Sequence, residues 1–245
     1  MIAFLQELPD LLKSSSKRLK CLLFSIDVPG QMFKQVLHLS GKPSLLVGFV
    51  SRRPLSEMKK WFPDNLILAG CNGMEIDGPD FSWKFPKLPT IRYQLDELFK
   101  LLTMEAGPDW TRQNVHLLGA EMTIDLKGEN QLKINRLRQL VQNNIAGSLL
   151  GATISDNMIC VFPQDHWNRQ MLIKKIVDLL PVENGLLPTI FYFGADRRDE
   201  PAFQETNLHG YSVLLRENIG RKTAARYYLR NNRELQKVLI LFGNK

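Results

Sequence analysis

The sequence contains few cysteine and histidine residues, and neither type is spaced to bind a metal. Its three cysteines, Cys21, Cys71 and Cys160, are scattered and odd in number, which argues against a disulfide framework. We interpret them as small buried residues of a protein from a reducing compartment. The four histidines are isolated from one another, and none stands at the ligand spacing of a zinc site. A disulfide-stapled or zinc-binding fold is therefore not expected.

Long hydrophobic runs are also missing. No apolar stretch approaches the roughly 20 residues that are needed to cross a bilayer. The first residues, Met1 to Leu5, lack a basic start and are soon followed by Glu7 and Asp10, a pattern that predicts no signal peptide. We expect a soluble cytoplasmic protein with no membrane partner.

The chain does have an ordinary hydrophobic content and an excess of positive charge. With 245 residues, of which 44% are hydrophobic, it can build a core domain with a smaller domain inserted in it. Its net charge of +7 favours anionic partners such as sugar phosphates, nucleic acid or acidic proteins. The basic segment 216–237 contains Tyr227 and Tyr228, but we interpret its charges as a solvated surface and predict no nucleic-acid partner.

Hydrophobic runs alternate with helical spacing in the first and last thirds of the chain. Short apolar runs predict buried parallel strands at residues 19–26, 44–50, 66–69, 189–194 and 211–215. Apolar residues at helical spacing predict helices at residues 2–13, 55–62, 172–180, 200–206 and 233–242. This alternation predicts an α/β fold in which a parallel sheet lies between helices.

The middle of the chain has a different pattern. Helical spacing at 92–106 and 132–140 is combined with alternating hydrophobic residues at 115–126 and 152–161. We predict a small α+β module inserted into the α/β core.

The loops that follow the predicted strands are candidate sites, because ligands bind at the carboxyl ends of the strands in an open parallel sheet. One such loop contains Phe24-Ser25-Ile26-Asp27. Another is Val50-Ser51-Arg52-Arg53-Pro54-Leu55, which is followed by the turn Leu68-Ala69-Gly70-Cys71-Asn72-Gly73-Met74-Glu75-Ile76. The last two candidates are Asn168-Arg169-Gln170 and Gly194-Ala195-Asp196-Arg197-Arg198-Asp199-Glu200.

These loops resemble the motifs of the trehalose-6-phosphate phosphatases, a family of the haloacid dehalogenase-like superfamily. The segments 50–55 and 68–76 are similar, in order and spacing, to the family's Val-Ser-Gly-Arg-Pro-Leu and Leu-Ala-Gly-x-His-Gly-x-Glu-Ile. The resemblance covers about residues 19–83 and 160–243. It implies a haloacid dehalogenase-like core at 1–88 and 168–245, with an inserted α+β cap domain at 89–167.

The resemblance also implies catalytic and phosphate-binding roles for particular residues. Ser25 stands at the position of the nucleophilic aspartate, and Asp27 stands at the position of the general acid and base. Ser51 corresponds to a hydroxyl that holds a phosphate oxygen, and Arg52 lies beside it. Arg169 stands at the position of a lysine that neutralises the phosphate.

The same comparison places Asp196 and Asp199 among carboxylates that help to hold Mg²⁺. However, two carboxylates of the family's pattern are replaced, by Ser25 and by Ala195, and Arg198 replaces a threonine. We therefore predict a pocket that disfavours Mg²⁺ and attracts an anion directly.

Three hypotheses for the function follow from this pattern. The first is a phosphatase-like protein with lost or strongly weakened hydrolysis, which binds a sugar phosphate or serves the trehalose-synthesis enzymes as a non-catalytic homologue. The second is an active phosphatase that converts trehalose 6-phosphate to trehalose with a rearranged site. The third is a protein-interaction module whose pocket is vestigial.

Overall fold

The computed structural model describes residues 2–15, 18–26, 30–164, 167–216, 220 and 222–244, with Gln31 described through its backbone only. Its strands are β1 (Ile2–Ala3), β2 (Lys20–Ser25), β3 (Leu45–Val50), β4 (Ile67–Gly70), β5 (Glu75–Gly78), β6 (Phe81–Lys84), β7 (Val115–Leu118), β8 (Glu121–Asp125), β9 (Leu150–Ile154), β10 (Met158–Pro163), β11 (Thr189–Gly194), β12 (Gly210–Leu215) and β13 (Tyr227–Leu229).

Helices alternate with most of these strands. They are α1 (Phe4–Ser14), α2 (Gly30–Ser40), α3 (Leu55–Met58), α4 (Leu88–Ala106), α5 (Pro108–Asn114), α6 (Gln131–Ile145), α7 (Arg169–Leu179), α8 (Glu200–His209) and α9 (Asn232–Gly243). Two short 3₁₀ turns lie at Cys71–Gly73 and Arg197–Asp199. None of the helices in the described ranges combines the length and apolar character of a membrane span.

The chain divides into two compact units. The first consists of Met1–Ser51, Leu55–Trp83 and Asn168–Lys245, and the second consists of Arg52–Pro54 and Lys84–Trp167. The first unit is built on a sheet with the strand order β1-β13-β12-β11-β2-β3-β4-β5-β6. Each strand pairs in parallel with the next along this order, from β1 at the edge as far as β4. Strand β5 then pairs antiparallel with β4.

The central strands of this sheet are covered on both faces, which explains their continuous apolar sequence. On one face Phe24 stacks on Phe193 with ring centroids 4.9 Å apart, and Phe4 of α1 meets Phe193 edge to face at 5.9 Å. On the other face Tyr192 packs edge to face against Phe203 of α8 at 5.9 Å. The predicted α/β class with a parallel sheet between helices is confirmed.

The second unit contains a four-stranded antiparallel sheet with the order β7-β8-β10-β9. Alternate residues of β8 and β10 are buried, namely Met122, Ile124, Ile159 and Val161. Helices α5 and α6 pack against this sheet, and α4 packs on both of those helices. The inserted α+β module that the alternating pattern predicts is thus present.

The predicted helix at 55–62 is shorter than its spacing indicates. Helix α3 ends at Met58, and a turn follows in which Trp61 is 76% exposed. Pro63 disfavours helical backbone at the preceding residue, so the helix cannot continue through Phe62.

Candidate functional site

Three neighbouring parallel strands end at the same edge of the large sheet and bring the predicted loops together. Ser25 is the last residue of β2 and pairs in register with Gly194, the last residue of β11. On the other side of β2, Phe24 is in register with Phe49 of β3, so Ser51 follows at the same edge. The carboxyl edge therefore gathers Ser25, Ser51 and the segment from Ala195 onward, as the parallel topology predicts.

The centre of this edge is an ion pair between Arg169 and Asp199. Arg169 is the first residue of α7, and the Asn168 side chain caps this helix by accepting from the backbone N–H groups of Gln170 and Met171. The Arg169 guanidinium donates through Nη1 to Asp199 Oδ1, and the two side chains are 8% and 0% exposed. A second guanidinium nitrogen, Nη2, lies 3.4 Å from Asn72 Oδ1.

The Asp199 carboxylate has donors on both of its oxygens. The Tyr192 hydroxyl donates to Oδ1 at 2.7 Å, on the same atom that Arg169 contacts. The backbone N–H groups of Ala195 and Asp196 donate to Oδ2 at 2.9 and 2.8 Å. Asp199 therefore ties β11, the following 3₁₀ turn and α7 together, and four donors satisfy its charge.

Gly194 makes this close approach possible. A Cβ atom at that position would lie 2.5 Å from Asp199 Cγ and 2.7 Å from Oδ2. Such separations are far inside van der Waals contact, so a side chain at residue 194 would displace the carboxylate from its donors.

The electrostatics of the cluster keep Arg169 charged and Tyr192 neutral. Burial acts to lower the pKa of Arg169, but its interactions with Tyr192 and Asp199 outweigh this effect and raise the pKa above its usual value. Burial and the charge of Asp199 raise the pKa of Tyr192 well above its usual value, while Arg169 and the nearby Ser25 hydroxyl oppose them. The Tyr192 hydroxyl therefore stays protonated near neutral pH, donates to Asp199 and is not available as a base.

Ser25, which stands at the predicted nucleophile position, has a hydroxyl shielded from solvent. Its Oγ lies near the Tyr192 hydroxyl but makes no hydrogen bond with the residues that the structure describes. Asp27, the predicted general acid and base, lies outside the described residues.

The loop that contains Ser51 is held by backbone and carboxylate contacts. The N–H group of Ser51 donates to Ala69 at 2.9 Å, and its carbonyl accepts from the N–H group of Asn72 at 2.8 Å. Glu75 is 5% exposed, and its Oε2 accepts from the N–H group of Leu55 at the start of α3 at 2.9 Å. In this chain the Glu75 carboxylate thus has a structural role, in which it fixes the helix that follows Ser51.

Arg52 belongs to the second unit and has a carboxylate partner there. Its Nη1 lies 3.6 Å from Glu121 Oε2 on β8, and the two side chains are 41% and 21% exposed. Its predicted role in binding phosphate stays a prediction. A phosphate would have to compete with Glu121 for the Arg52 guanidinium.

The predicted metal carboxylates differ in how available they are. Asp196 is exposed and takes part in the 3₁₀ turn, where its side chain accepts from the backbone N–H group of Asp199. Asp199 has the four donors described above. Within the described ranges, no three His, Cys, Asp or Glu side chains are grouped so that they could hold a metal ion. The four donors on Asp199 leave its carboxylate oxygens little capacity to bind Mg²⁺ as well.

Tyr192, Asn72 and Gly194 are site residues that the sequence analysis did not single out. A tyrosine inside an otherwise apolar strand is the signal that could have identified Tyr192, because a buried hydroxyl needs a partner. Asn72 could have been noticed from its place in the turn, where φ is +55° and asparagine is tolerated better than most residues.

Comparison with solved structures finds the same fold over essentially the whole chain. The Aspergillus fumigatus trehalose-6-phosphate phosphatase superposes with a TM-score of 0.64 at 16% identity and covers 100% of both chains. The C-terminal domain of the Candida albicans trehalose-6-phosphate phosphatase gives 0.65 at 17% identity, with 96% of each chain covered. The C-terminal domain of the Candida albicans trehalose synthase regulatory protein gives 0.65 at 14% identity, covering 98% of this chain and 99% of that one.

Neither models of protein families nor curated protein sequences match the chain. The fold is nevertheless the one that the motifs around Ser51 and Glu75 predict. This chain has the fold of the trehalose-6-phosphate phosphatases.

Proposed function

We propose that this protein is a phosphatase-fold homologue in which hydrolysis is lost or strongly weakened. The observation that carries the proposal is the buried cluster of Arg169, Asp199 and Tyr192. Its cation and anion neutralise each other at the carboxyl edge of the sheet, where the sequence motifs imply a site for phosphate and Mg²⁺.

The nucleophile position supports the loss of hydrolysis. A serine hydroxyl attacks phosphorus efficiently only when an adjacent base removes its proton. Among the described residues near Ser25, Tyr192 has a pKa well above its usual value, and the Asp199 carboxylate already accepts four hydrogen bonds. Neither group is suited to activate Ser25 near neutral pH.

The metal position supports the same conclusion. The resemblance implies Mg²⁺, but Ser25 and Ala195 provide no carboxylate, and the oxygens of Asp199 are directed at Arg169, Tyr192 and two backbone N–H groups. A guanidinium in contact with the same carboxylate also repels a divalent cation. We expect no Mg²⁺-dependent step at this edge.

Sugar-phosphate binding without turnover is the activity that we favour. Arg169 Nε is shielded from solvent and has no hydrogen-bond partner among the described residues. Such an arginine donor could pair with a phosphate oxygen without a metal once the side chains that cover it move aside.

A second candidate is a regulatory role beside trehalose-synthesis enzymes. It is favoured by the structural similarity to the C-terminal domain of a trehalose synthase regulatory protein, which covers 98% of this chain at a TM-score of 0.65. Such a role needs the fold but no turnover.

The test is to incubate the protein with trehalose 6-phosphate, sucrose 6-phosphate and glucose 6-phosphate, each with and without Mg²⁺. Phosphate release and the melting temperature are both measured. We expect no release above the buffer blank and a higher melting temperature with a preferred sugar phosphate, independent of Mg²⁺. Mg²⁺-dependent release at about 1 s⁻¹ or faster, the usual range of enzymes, would contradict the proposal. If the protein shows neither phosphate release nor a higher melting temperature, the regulatory candidate is favoured.

A matched pair of double variants locates the defect. Ser25→Asp with Ala195→Asp adds two carboxylates at the site, and Ser82→Asp with Ala146→Asp adds the same charge at two exposed positions elsewhere. If the missing carboxylates are the whole cause of lost hydrolysis, the first variant gains Mg²⁺-dependent phosphate release and the second does not. If the ion pair also blocks the site, activity requires the further change Arg169→Lys.

A further inference from the structure

The opposite, amino edge of the large sheet carries a groove that none of the predicted site residues occupies. Two adjoining pockets of about 150 and 330 Å³ lie there, and both are lined by Arg18, Leu208 and His209. We call them together the amino-edge groove, whose lining includes Arg18, Leu187, Leu208, His209 and Arg226. Pro188, His209 and Arg226 each immediately precede a strand, which places them all at this edge.

One half of the groove is cationic. The guanidinium groups of Arg18 and Arg226 are exposed, and neither makes an ion pair or a side-chain hydrogen bond within the part of the chain that the structure describes. The carboxylate beside this half, Glu205, is already engaged by Gln170 at 2.9 Å, by His209 at 3.4 Å and by Lys174 at 3.8 Å. The two arginines are thus free to meet an external anion.

The other half is apolar and partly open to solvent. Leu208 is 74% exposed and Leu187 is 41% exposed, and Val177, Leu180 and Pro188 form the remaining wall. The hairpin Glu183–Leu186, with positive φ at Asn184 and Gly185, leads directly to Leu187. A cavity of this size can take a group as large as benzene, so it has room for an aliphatic side chain.

We propose that the amino-edge groove binds a peptide segment of a partner protein that carries an acidic residue close to an aliphatic one. The aliphatic side chain would fill the apolar half, and the carboxylate would accept paired hydrogen bonds from Arg18 or Arg226. Charge complementarity supports this occupant, because the groove offers two cations with no ion-pair partner among the described residues and the chain has a net charge of +7.

A free phosphate or a fatty acid is a weaker match to this surface. Phosphate would use the arginines and leave Leu208 and Leu187 in water, whereas the alkyl chain of a fatty acid is too long for an apolar half of about 150 Å³ that has room for an aliphatic side chain. A peptide spans both halves because its side chains are spaced along an extended backbone. The proposal does not depend on whether the carboxyl edge hydrolyses phosphate.

The experiment uses the full chain as the target for a display library of random peptides. The counter-target is Arg18→Glu with Arg226→Glu, and the matched control is Arg136→Glu with Arg233→Glu. The control pair is also exposed and makes the same change in net charge, but neither of its residues lines the groove. Enriched peptides are then measured by fluorescence anisotropy, with inorganic phosphate and laurate as competitors. Melting temperatures establish that every variant is folded.

We expect enriched peptides to carry Asp or Glu within a few residues of Leu, Ile or Met. The counter-target should lose at least about tenfold in affinity, while the charge control keeps its affinity. Leu208→Ser should weaken binding, and Met104→Ser, which changes a residue that is 83% exposed on α4, should not. Failure to enrich any peptide, peptides that bind the counter-target equally well, or full displacement by phosphate or laurate alone would overturn the proposal.

Discussion

Removal of the Asp199 carboxylate is the perturbation with the largest predicted effect on the stability of this protein. In Asp199→Ala the Arg169 guanidinium, with only 8% of its side chain exposed, loses its counter-charge. The Tyr192 hydroxyl and the N–H groups of Ala195 and Asp196 lose their acceptor as well. Breaking a buried ion pair from one side costs about 3–5 kcal/mol, which is a large part of a typical unfolding free energy of about 5–15 kcal/mol.

The expected shift in melting temperature follows from the size of the chain. For a protein of this length, 1 kcal/mol corresponds to about 2–4 °C, so Asp199→Ala should lower the melting temperature by about 6–20 °C. Differential scanning calorimetry measures the shift. The control is Asp178→Ala, which removes a carboxylate that is 67% exposed and lies 3.7 Å from Lys175. An exposed pair of this kind contributes about 0–1 kcal/mol.

A double variant distinguishes the cost of leaving Arg169 without a counter-charge from the cost of losing the ion pair itself. Arg169→Met with Asp199→Asn removes both charges and leaves no uncompensated ion in the interior, so it should be less destabilised than Asp199→Ala. The buried pair does not have this role in stability if Asp199→Ala melts within about 2 °C of the wild type, or if the double variant is the less stable of the two.

Two further predictions concern the same interior. Gly194→Ala should cost at least about 2 kcal/mol, because its Cβ would lie 2.5 Å from Asp199 Cγ; chemical denaturation measures this cost, and a neutral result would show that the carboxylate can move. At alkaline pH, burial raises the pKa of Cys21 from 9.0 to about 12, so the folded state retains a proton that the unfolded chain releases. The resulting stability is fully present below about pH 9 and falls by at most about 1.4 kcal/mol per pH unit as pH rises toward 12. Denaturation across this range should show a smaller fall for Cys21→Ala, and an equal fall would contradict the assignment.

Much of the fold could be predicted from the sequence because its central strands are buried on both faces. Burial of this kind requires continuous apolar runs, and β11 at Thr189–Gly194 has the predicted bounds. The short strands at one end of the sheet were not predicted. The edge strand β1 has two residues and its neighbour β13 has three, which is too short for a period of two to be recognised.

The candidate site could be predicted in its composition but not in its contacts. The parallel topology places Ser25, Ser51 and the segment after Gly194 at one edge, and the sequence motifs predicted these loops. Which donors satisfy Asp199 is decided by the turn at Arg197–Asp199, which folds the carboxylate back onto β11. A motif gives the order of residues and cannot show that an aspartate is fully occupied by its own neighbours.

The motif around Glu75 also helped to predict the fold, but it did not reveal what the Glu75 side chain does. The segments around Ser51 and Glu75 stand 20 or more residues apart in the chain, and their joint presence supported the predicted fold. In the structure the Glu75 carboxylate accepts from the N–H group of Leu55, so it links the two segments through the start of α3. The two motifs are therefore joined by a packing contact in the folded chain.

We propose that the Arg169–Asp199 pair occupies the edge where phosphate and Mg²⁺ would otherwise react. Single-turnover phosphate release tests it most directly, with the protein in excess over trehalose 6-phosphate and Mg²⁺ present or chelated. At neutral pH we expect the wild type to give the same trace as the buffer blank under both conditions. A burst of phosphate that requires Mg²⁺ and disappears in Asp199→Asn would contradict it, because the carboxylate would then hold a metal rather than its own arginine.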